Sequence, residues 1–363
     1  MNTSNLTQRI KRTLGIGLLL AGTAAPLHAQ TKVIKRQALR GNDYGVGYTL
    51  PKSEIKLYAI ISHTTKCPGK YYKYAERLLQ LKEYTTEYSS IHTLEKVAVN
   101  TVGVPDPQAT FMVHFKVGTT APYAILTKDN LLCAINTETQ PTAPPVIPIP
   151  DDIAAVATDP TLMSEEILQA GSIAKMAELT AQRLYEIRER RNEILMGENI
   201  PPDGNALKEV MRILNEQEES LMALFKGTTS VTYSLAEYTI DPKEMSDQTI
   251  LRISKHSGAV APDDLSGYPI NFTLNNLTPA TPLAPKEAAR KEKQRGMRYN
   301  IPGKGAFTVT MNGTTYAEGE LDITQFGTQE VLVSEIFEDR KRPVKITFYP
   351  ELGAIESINT KEQ

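Results

Sequence analysis

The sequence predicts an α+β protein in which two β-rich antiparallel domains, each a sandwich or small barrel, flank a long antiparallel helical hairpin. Three patterns predict it. Short runs of period-two apolar alternation, bounded by Gly, Pro and Asn, occupy 44–136 and 228–358. Between them, apolar residues recur at helical spacing from Ser164 to Phe225. At the first junction stand Pro141, Pro144, Pro145, Pro148 and Pro150, a density that blocks both helix and ladder.

The chain divides accordingly into five segments: 1–29, a signal peptide; 30–139, an N-terminal β-rich domain with one short helix; 140–162, a proline-rich, semi-rigid linker; 163–227, the helical hairpin; and 228–363, a C-terminal β-sandwich-like domain. Arg9, Lys11 and Arg12 form a basic region without acids, Leu14 to Ala25 is a short apolar stretch, and Ala29 supplies a small residue for cleavage. About a dozen apolar residues cannot span a bilayer, which takes about 20 in a helix. Gln30, not Cys, would follow the cut, so no bacterial lipid anchor is indicated. The expectation is an exported protein in the periplasm or at the cell surface, soluble or peripherally attached. The competing reading is an uncleaved amphipathic N-terminus.

In the first β-rich segment, Gly45 to Leu50 ends at Pro51, and Ile55 to Ile61 follows with near-period-two apolar positions. Pro68 opens a short amphipathic helix through Tyr71, Tyr72, Ala75, Leu78, Leu79 and Lys82. Strands return at 93–99, 110–117 and 123–126. Ser164 can cap the next helix, with Glu165 and Glu166 at the positive end of its dipole. Its stripe runs through Ala170, Ala174, Ala177, Ala181, Leu184 and Ile187 to Met196, about 48 Å of helix at 1.5 Å per residue. Gly197 to Gly204, with Pro201 and Pro202, is a break. Asp203 or Asn205 then caps a second helix whose face carries Leu207, Val210, Leu214, Leu221, Leu224 and Phe225, and Gly227 ends it. A short connection and matched faces predict the hairpin. In the last segment, 249–254 and 268–274 alternate, 278–298 reads as a mobile loop, and Asn312-Gly313 between 306–311 and 314–320 is a strong hairpin turn. Strands at 330–337, 344–349 and 354–358 complete the set.

Composition excludes some functions. The formal charge of −2 becomes −5 once Arg9, Lys11 and Arg12 are removed, which argues against a nucleic-acid binder. Trp is absent, which counts against a sugar-stacking platform. Cys67 and Cys133 are the only cysteines. In an oxidising compartment they form either a disulfide, contributing up to about 4 kcal/mol, or two buried free thiols.

Candidate chemistry is sparse. Ser172-Ile173-Ala174-Lys175 and Ser53-Glu54-Ile55-Lys56 both match S-x-x-K, where serine is the nucleophile and lysine its base, but neither S-D-N nor K-T-G accompanies them. His63 and Cys67 lie four apart, with His92, His114 and Cys133 elsewhere; on strands that spacing does not converge on a metal. Asp151-Asp152 and Asp263-Asp264 read as turn-solvating acids, Gly303-Lys304-Gly305 precedes a strand and so forms no phosphate cradle, and Tyr71-Tyr72-Lys73-Tyr74 reads as core with polar tips. The sequence therefore predicts no catalytic residue, no metal ligand and no cofactor.

Several stretches in order resemble an uncharacterised family of exported Bacteroidota proteins, domain of unknown function 4831. They are Gly47-Tyr48-Thr49-Leu50-Pro51-Lys52, Tyr72-Lys73-Tyr74-Ala75-Glu76-Arg77, Gly103-Val104-Pro105-Asp106-Pro107, the run from Ala170 to Glu178, Pro202-Asp203-Gly204, Asp263-Asp264-Leu265-Ser266-Gly267 and Glu335-Ile336-Phe337. The resemblance implies a Gram-negative envelope protein and brings no activity or site residue. The expectation is a non-catalytic interaction subunit of an outer-membrane-associated assembly, with envelope protein partners, no nucleic acid and no transmembrane anchor of its own. The alternative is a protein that binds or hydrolyses glycan or peptidoglycan.

Overall fold

A computed structural model describes residues 34–36, 45–114, 123–139, 146–197, 204–279, 284–292, 296–333, 336 and 344–360. Segment 1–29, expected to be a signal peptide, and the candidate cap Asp203 lie outside the described residues, as does the predicted break at Pro201 and Pro202. The protein is β-rich, with three antiparallel sheets and a set of helices.

The strands are β1 (Ile34–Arg36), β2 (Gly45–Cys67), β3 (Ser89–His114), β4 (Ala124–Leu126), β5 (Leu132–Ile135), β6 (Thr228–Ile240), β7 (Met245–Ser254), β8 (Gly258–Val260), β9 (Tyr268–Asn276), β10 (Gly296–Met311), β11 (Thr314–Val333), β12 (Val344–Tyr349) and β13 (Ala354–Thr360). They form sheets of order β3-β2-β6, β11-β10-β9-β7-β8 and β1-β4-β5-β12-β13. The sheet β11-β10-β9-β7-β8 lies wholly within 228–363, but the other two sheets join that segment to 30–139. β2 pairs with β6 from Ile55–Ile240 to Cys67–Thr228, and β5 pairs with β12.

The cause lies in two hairpins longer than their sequences suggest. β2 does not stop at Pro51; its ladder with β3 slips between Thr49 and Pro51 and then resumes. A proline is tolerated in a strand where the ladder is already interrupted. β2–β3 and β10–β11 thus each run through two cores. In the first, Ile55, Leu57 and Ile61 of β2 face Leu251, Ile270, Phe272, Leu274, Val309 and Ile323 of the five-stranded sheet. In the second, Tyr48 and Leu50 of the same β2 pack with Leu126, Leu132, Ile135, Met297, Ile346 and Phe348.

Polar side chains stitch the hairpins where the cores meet. β10 and β11 slip between Ile301 and Gly303, so that Ile301 faces Thr328 and Gly303 faces Ile323. The extra residues of β11 reach β2: the Ser53 N–H donates to Thr324 Oγ1 and Gln325 Oε1, and Gln325 Nε2 donates to the Ser53 carbonyl at 2.7 Å. Asn300 is buried and donates to the carbonyls of Pro51 and Leu352, 3.0 Å each. The Asn312-Gly313 turn is as predicted, with φ of 51° and 76°.

The helices are α1 (Ala75–Leu79, entered by a 3-10 turn at Tyr72–Tyr74), α2 (Glu165–Gln169), α3 (Ile173–Met196), α4 (Asn205–Lys226) and α5 (Pro285–Glu292). The helix expected from Ser164 to Met196 is broken at Gly171. Ser164 caps α2 as predicted, but Ser172 caps a separate α3, accepting from Lys175 N–H at 3.2 Å. A second capping serine behind a glycine restarts the helix, which shortens the long one to about 36 Å. The expected loop at 278–298 holds α5. Ala177, Ala181, Leu184 and Ile187 of α3 bury against Leu214, Leu221, Leu224 and Phe225 of α4 and against Tyr71, Ala75 and Leu79. The Glu218 carboxylate joins Arg188 (2.7 Å) and Arg191 across α3 and α4.

This helical layer docks on the end of β2 through backbone. Tyr71 N–H donates to Leu224 O at 2.7 Å and Thr85 N–H to Lys226 O at 2.9 Å. Gly69 abuts the Leu224 carbonyl and Gly227, at φ +86°, abuts the Cys67 carbonyl, with no room at either for a Cβ.

Candidate functional site

Apart from His63 and His92, the residues singled out in the sequence do not converge. Cys67 and Cys133 are free thiols, not a disulfide. Cys67 ends β2, whereas Cys133 sits on β5 beside the opposite end, where Leu131 bridges Thr49. The intervening length of β2 is roughly 60 Å at about 3.3 Å per residue, far beyond the roughly 7 Å a disulfide tolerates. Cys133 is buried and its thiol is pushed up to about 12 by desolvation, with the Glu351 charge adding to it.

In both S-x-x-K pairs the side chains are engaged with other groups. Ser172 Oγ is occupied as the α3 cap, and Lys175 Nζ pairs with Glu178 at 3.1 Å. Ser53 is buried in the seam, and Lys56, on the other side of the strand, pairs with Glu237 at 2.9 Å. The acids solvate turns or cap strands. Asp264 accepts from Ser266 N–H at 2.9 Å, and that backbone bond lowers its pKa. Asp152 accepts from Tyr233 N–H at 2.8 Å. Gly303 lies in β10 against the Phe326 carbonyl, a close-packing role. Tyr71 is buried with its ring 5.4 Å from Phe225, while Lys73 and Arg77 lie over the rings of Tyr72 and Tyr74.

Two histidines do come together. His63 on β2 and His92 on β3 stack face to face, centroids 4.1 Å apart and planes 5° apart. The ladder explains it. His63 lies opposite Thr232 of β6 and His92 of β3, and its backbone bonds run to β6. That leaves His63 and His92 a non-hydrogen-bonded pair, the kind that brings side chains closest. It also turns the His92 N–H outward, where it donates to Lys255 O at 2.8 Å in the β7–β8 turn. Gly258, φ +72°, lies against the His92 ring, and His63 Nε2 bonds Ser90 Oγ at 2.8 Å. One metal ion cannot lie in the planes of two parallel stacked rings, so this pair closes the end of the sandwich core. Among the described residues, no three His, Cys, Asp or Glu side chains are placed to hold a metal ion.

A further open surface lies over the helical layer. Residues 146–159 cross from β6 to α4 as an extended strap: Ile153 pairs with Val231, and Asp159 N–H donates to Ser220 Oγ at 2.7 Å. Beneath the strap a shallow cleft of about 500 Å³ is lined by Val156, Leu162, Ile213, Glu216, Glu219 and Ser220. Val146, Ile149, Ile153 and Val156 of the strap and Ile213 of α4 all expose apolar side chains. This strap lies within the proline-rich segment 140–162, where isoleucine and proline alternate at 147–150. No helix among the described residues is long and apolar enough to cross a membrane.

The model of the domain of unknown function DUF4831 matches residues 44–356, and the chain belongs to that family. No curated protein and no solved structure matches it.

Proposed function

We propose that this member of the DUF4831 family is an exported, non-catalytic envelope protein that serves as an interaction subunit of an outer-membrane-associated assembly. In this reading α3 and α4 form an antiparallel hairpin, and the strap and α4 offer the contact surface. The observation that carries it is the row of exposed apolar residues Val146, Ile149, Ile153, Val156 and Ile213 beside a shallow, open cleft. An exposed apolar row rimmed by charge is the pattern of a protein contact, whereas a small-molecule site is concave and encloses its ligand. Cross-linking in intact cells followed by mass spectrometry tests it. Reproducible cross-links from the strap and α4 to one envelope protein are expected. Purification in mild detergent that yields this chain alone and monomeric would overturn it.

A further inference from the structure

Among the described residues, the outer edge of β6 is only partly occupied. Ile153 and Val231 exchange both backbone hydrogen bonds, at 2.8 and 2.9 Å, as an antiparallel pair. Backbone groups alternate in direction along a strand, and the β2–β6 ladder has no register shift. The even-numbered residues of β6 therefore bond to β2, and Val231, Tyr233, Leu235, Glu237 and Thr239 turn their N–H and C=O groups outward. The register set by Ile153 and Val231 would place Asp151 opposite Tyr233, Ile149 opposite Leu235 and Ile147 opposite Glu237. The ladder stops one step short of this. Tyr233 N–H donates to the Asp152 carboxylate at 2.8 Å, the bond that the Asp151 carbonyl would accept in a continuing strand.

The sequence of the strap suits that continuation. The residues whose N–H groups would face β6 are Ile147, Ile149, Asp151 and Ile153, and all four have one. Between them stand Pro148 and Pro150, whose missing donors would point to solvent, the placement in which an edge strand tolerates proline. Prolines so placed also stop a further strand from adding outside. Leu235 and Ile149, both exposed, would become direct neighbours on the solvent face.

We infer that Ile147–Ile153 is a built-in edge strand for β6, pairing Ile149 with Leu235 and Ile147 with Glu237, and that the Asp152 carboxylate is the latch that holds it open. The occupant of this edge is the chain's own strap, so the inference stands apart from any partner.

Amide exchange followed by NMR on the full chain tests it, with the Val231 and Leu57 amides as a check on folding. In Asp152→Ala the amides of Leu235 and Glu237 should exchange about tenfold or more slowly than in the unaltered chain, as local opening becomes rarer. Adding Ile149→Pro should abolish that protection, while adding Val146→Pro, whose nitrogen would face solvent, should leave it. Fast exchange at Leu235 and Glu237 in Asp152→Ala overturns the inference. So does protection that survives Ile149→Pro, or protection that grows with protein concentration, which would assign the edge to a second copy.

Discussion

In the sandwich the buried face of β2 is Ile55, Leu57, Ala59 and Ile61, met by Phe272, Leu274 and Phe307. In the helical layer the buried face of α3 is Ala177, Thr180, Ala181, Leu184 and Ile187. The first interface sets large side chains against large ones; the second sets Ala177 and Ala181 of α3 among large partners such as Phe225 and Tyr71. The same contrast holds at the joints. The sandwich is stitched by the side chains of Ser53, Thr324, Gln325 and Asn300, while the end of α4 is joined to the segment between β2 and β3 by main-chain bonds beside Gly69 and Gly227. Removing volume should therefore damage the sandwich most, and adding volume should damage the helical joint.

Phe272→Ala should have the largest effect. Phe272 is fully buried and its ring stacks on Phe307 at 6.2 Å. Truncating a core phenylalanine costs about 3–5 kcal/mol, read as a fall in the denaturant midpoint shared by every probe. A loss below about 1 kcal/mol would show that this core does not depend on side-chain volume. Gly69→Ala should cost at the upper end of about 1–3 kcal/mol, because the obstacle is the Leu224 backbone. Its signature should be local: faster amide exchange at Tyr71 and Thr85 while the β9 and β10 amides keep their protection. Uniform loss would merge the two regions into one cooperative unit.

The second core sharpens the comparison, because it is of the sandwich type but holds two ionisable groups. Burial pushes Cys133 up to about 12, and it also pushes Tyr48 up to about 12, against the opposing hydrogen bond at Arg298. In the unfolded chain these groups ionise near about 8.5 and 10. Between those values and about 12 the folded form keeps protons that the unfolded form has lost, so stability falls as pH rises. The slope is about 1.4 kcal/mol per pH unit for each group, giving a loss of about 2 kcal/mol by pH 10 from Cys133 alone. Cys133→Ala should flatten the profile between pH 8.5 and 10 and leave the steeper Tyr48 limb above it. An unchanged profile in that variant would assign the alkaline loss to other groups.

Local features of the fold are legible in the sequence: the Asn312-Gly313 turn, the Ser164 cap, the Gly227 stop and the alternation at 268–274. What is not legible is where strands continue and with whom they pair. Pro51 looks like a terminus because it lacks a donor, yet the β2–β3 slip at Thr49 removes the need for one. That continuation carries β2 through both cores, while the β2–β6 and β5–β12 pairings bind residues on either side of the helices into shared sheets. Likewise Gly171-Ser172 reads as two more residues in a helical stripe, although glycine followed by a capping serine also encodes a restart. The stacked His63 and His92 depend on the β2–β3 register beyond a slip between Ile60 and Ile61, and the apolar alternation of the two strands does not show where such a slip falls. The β6 edge was hidden for a different reason. Alternating proline and isoleucine suits a linker and an edge strand equally, and the Ile153–Val231 bridge is what raises the second reading.

Ser172 gives the smallest effect and separates two meanings of one motif. As the α3 cap, its Oγ accepts the Lys175 N–H at 3.2 Å, and Ser172→Ala should cost about 1 kcal/mol. Aspartate caps as well as serine and its charge favours the positive end of the helix, so Ser172→Asp should restore the stability lost in alanine. A nucleophile behaves in the opposite way, since aspartate cannot supply the serine hydroxyl. Lys175 points its amine at Glu178, which leaves no base for that hydroxyl. A fluorescent penicillin should therefore leave the unaltered chain unlabelled. A stoichiometric adduct at Ser172, absent from Ser172→Asp, would turn the cap into an active site. In its absence, α3 begins at this serine for the same reason that α2 begins at Ser164: a helix that restarts behind Gly171 needs an acceptor for its first free N–H groups.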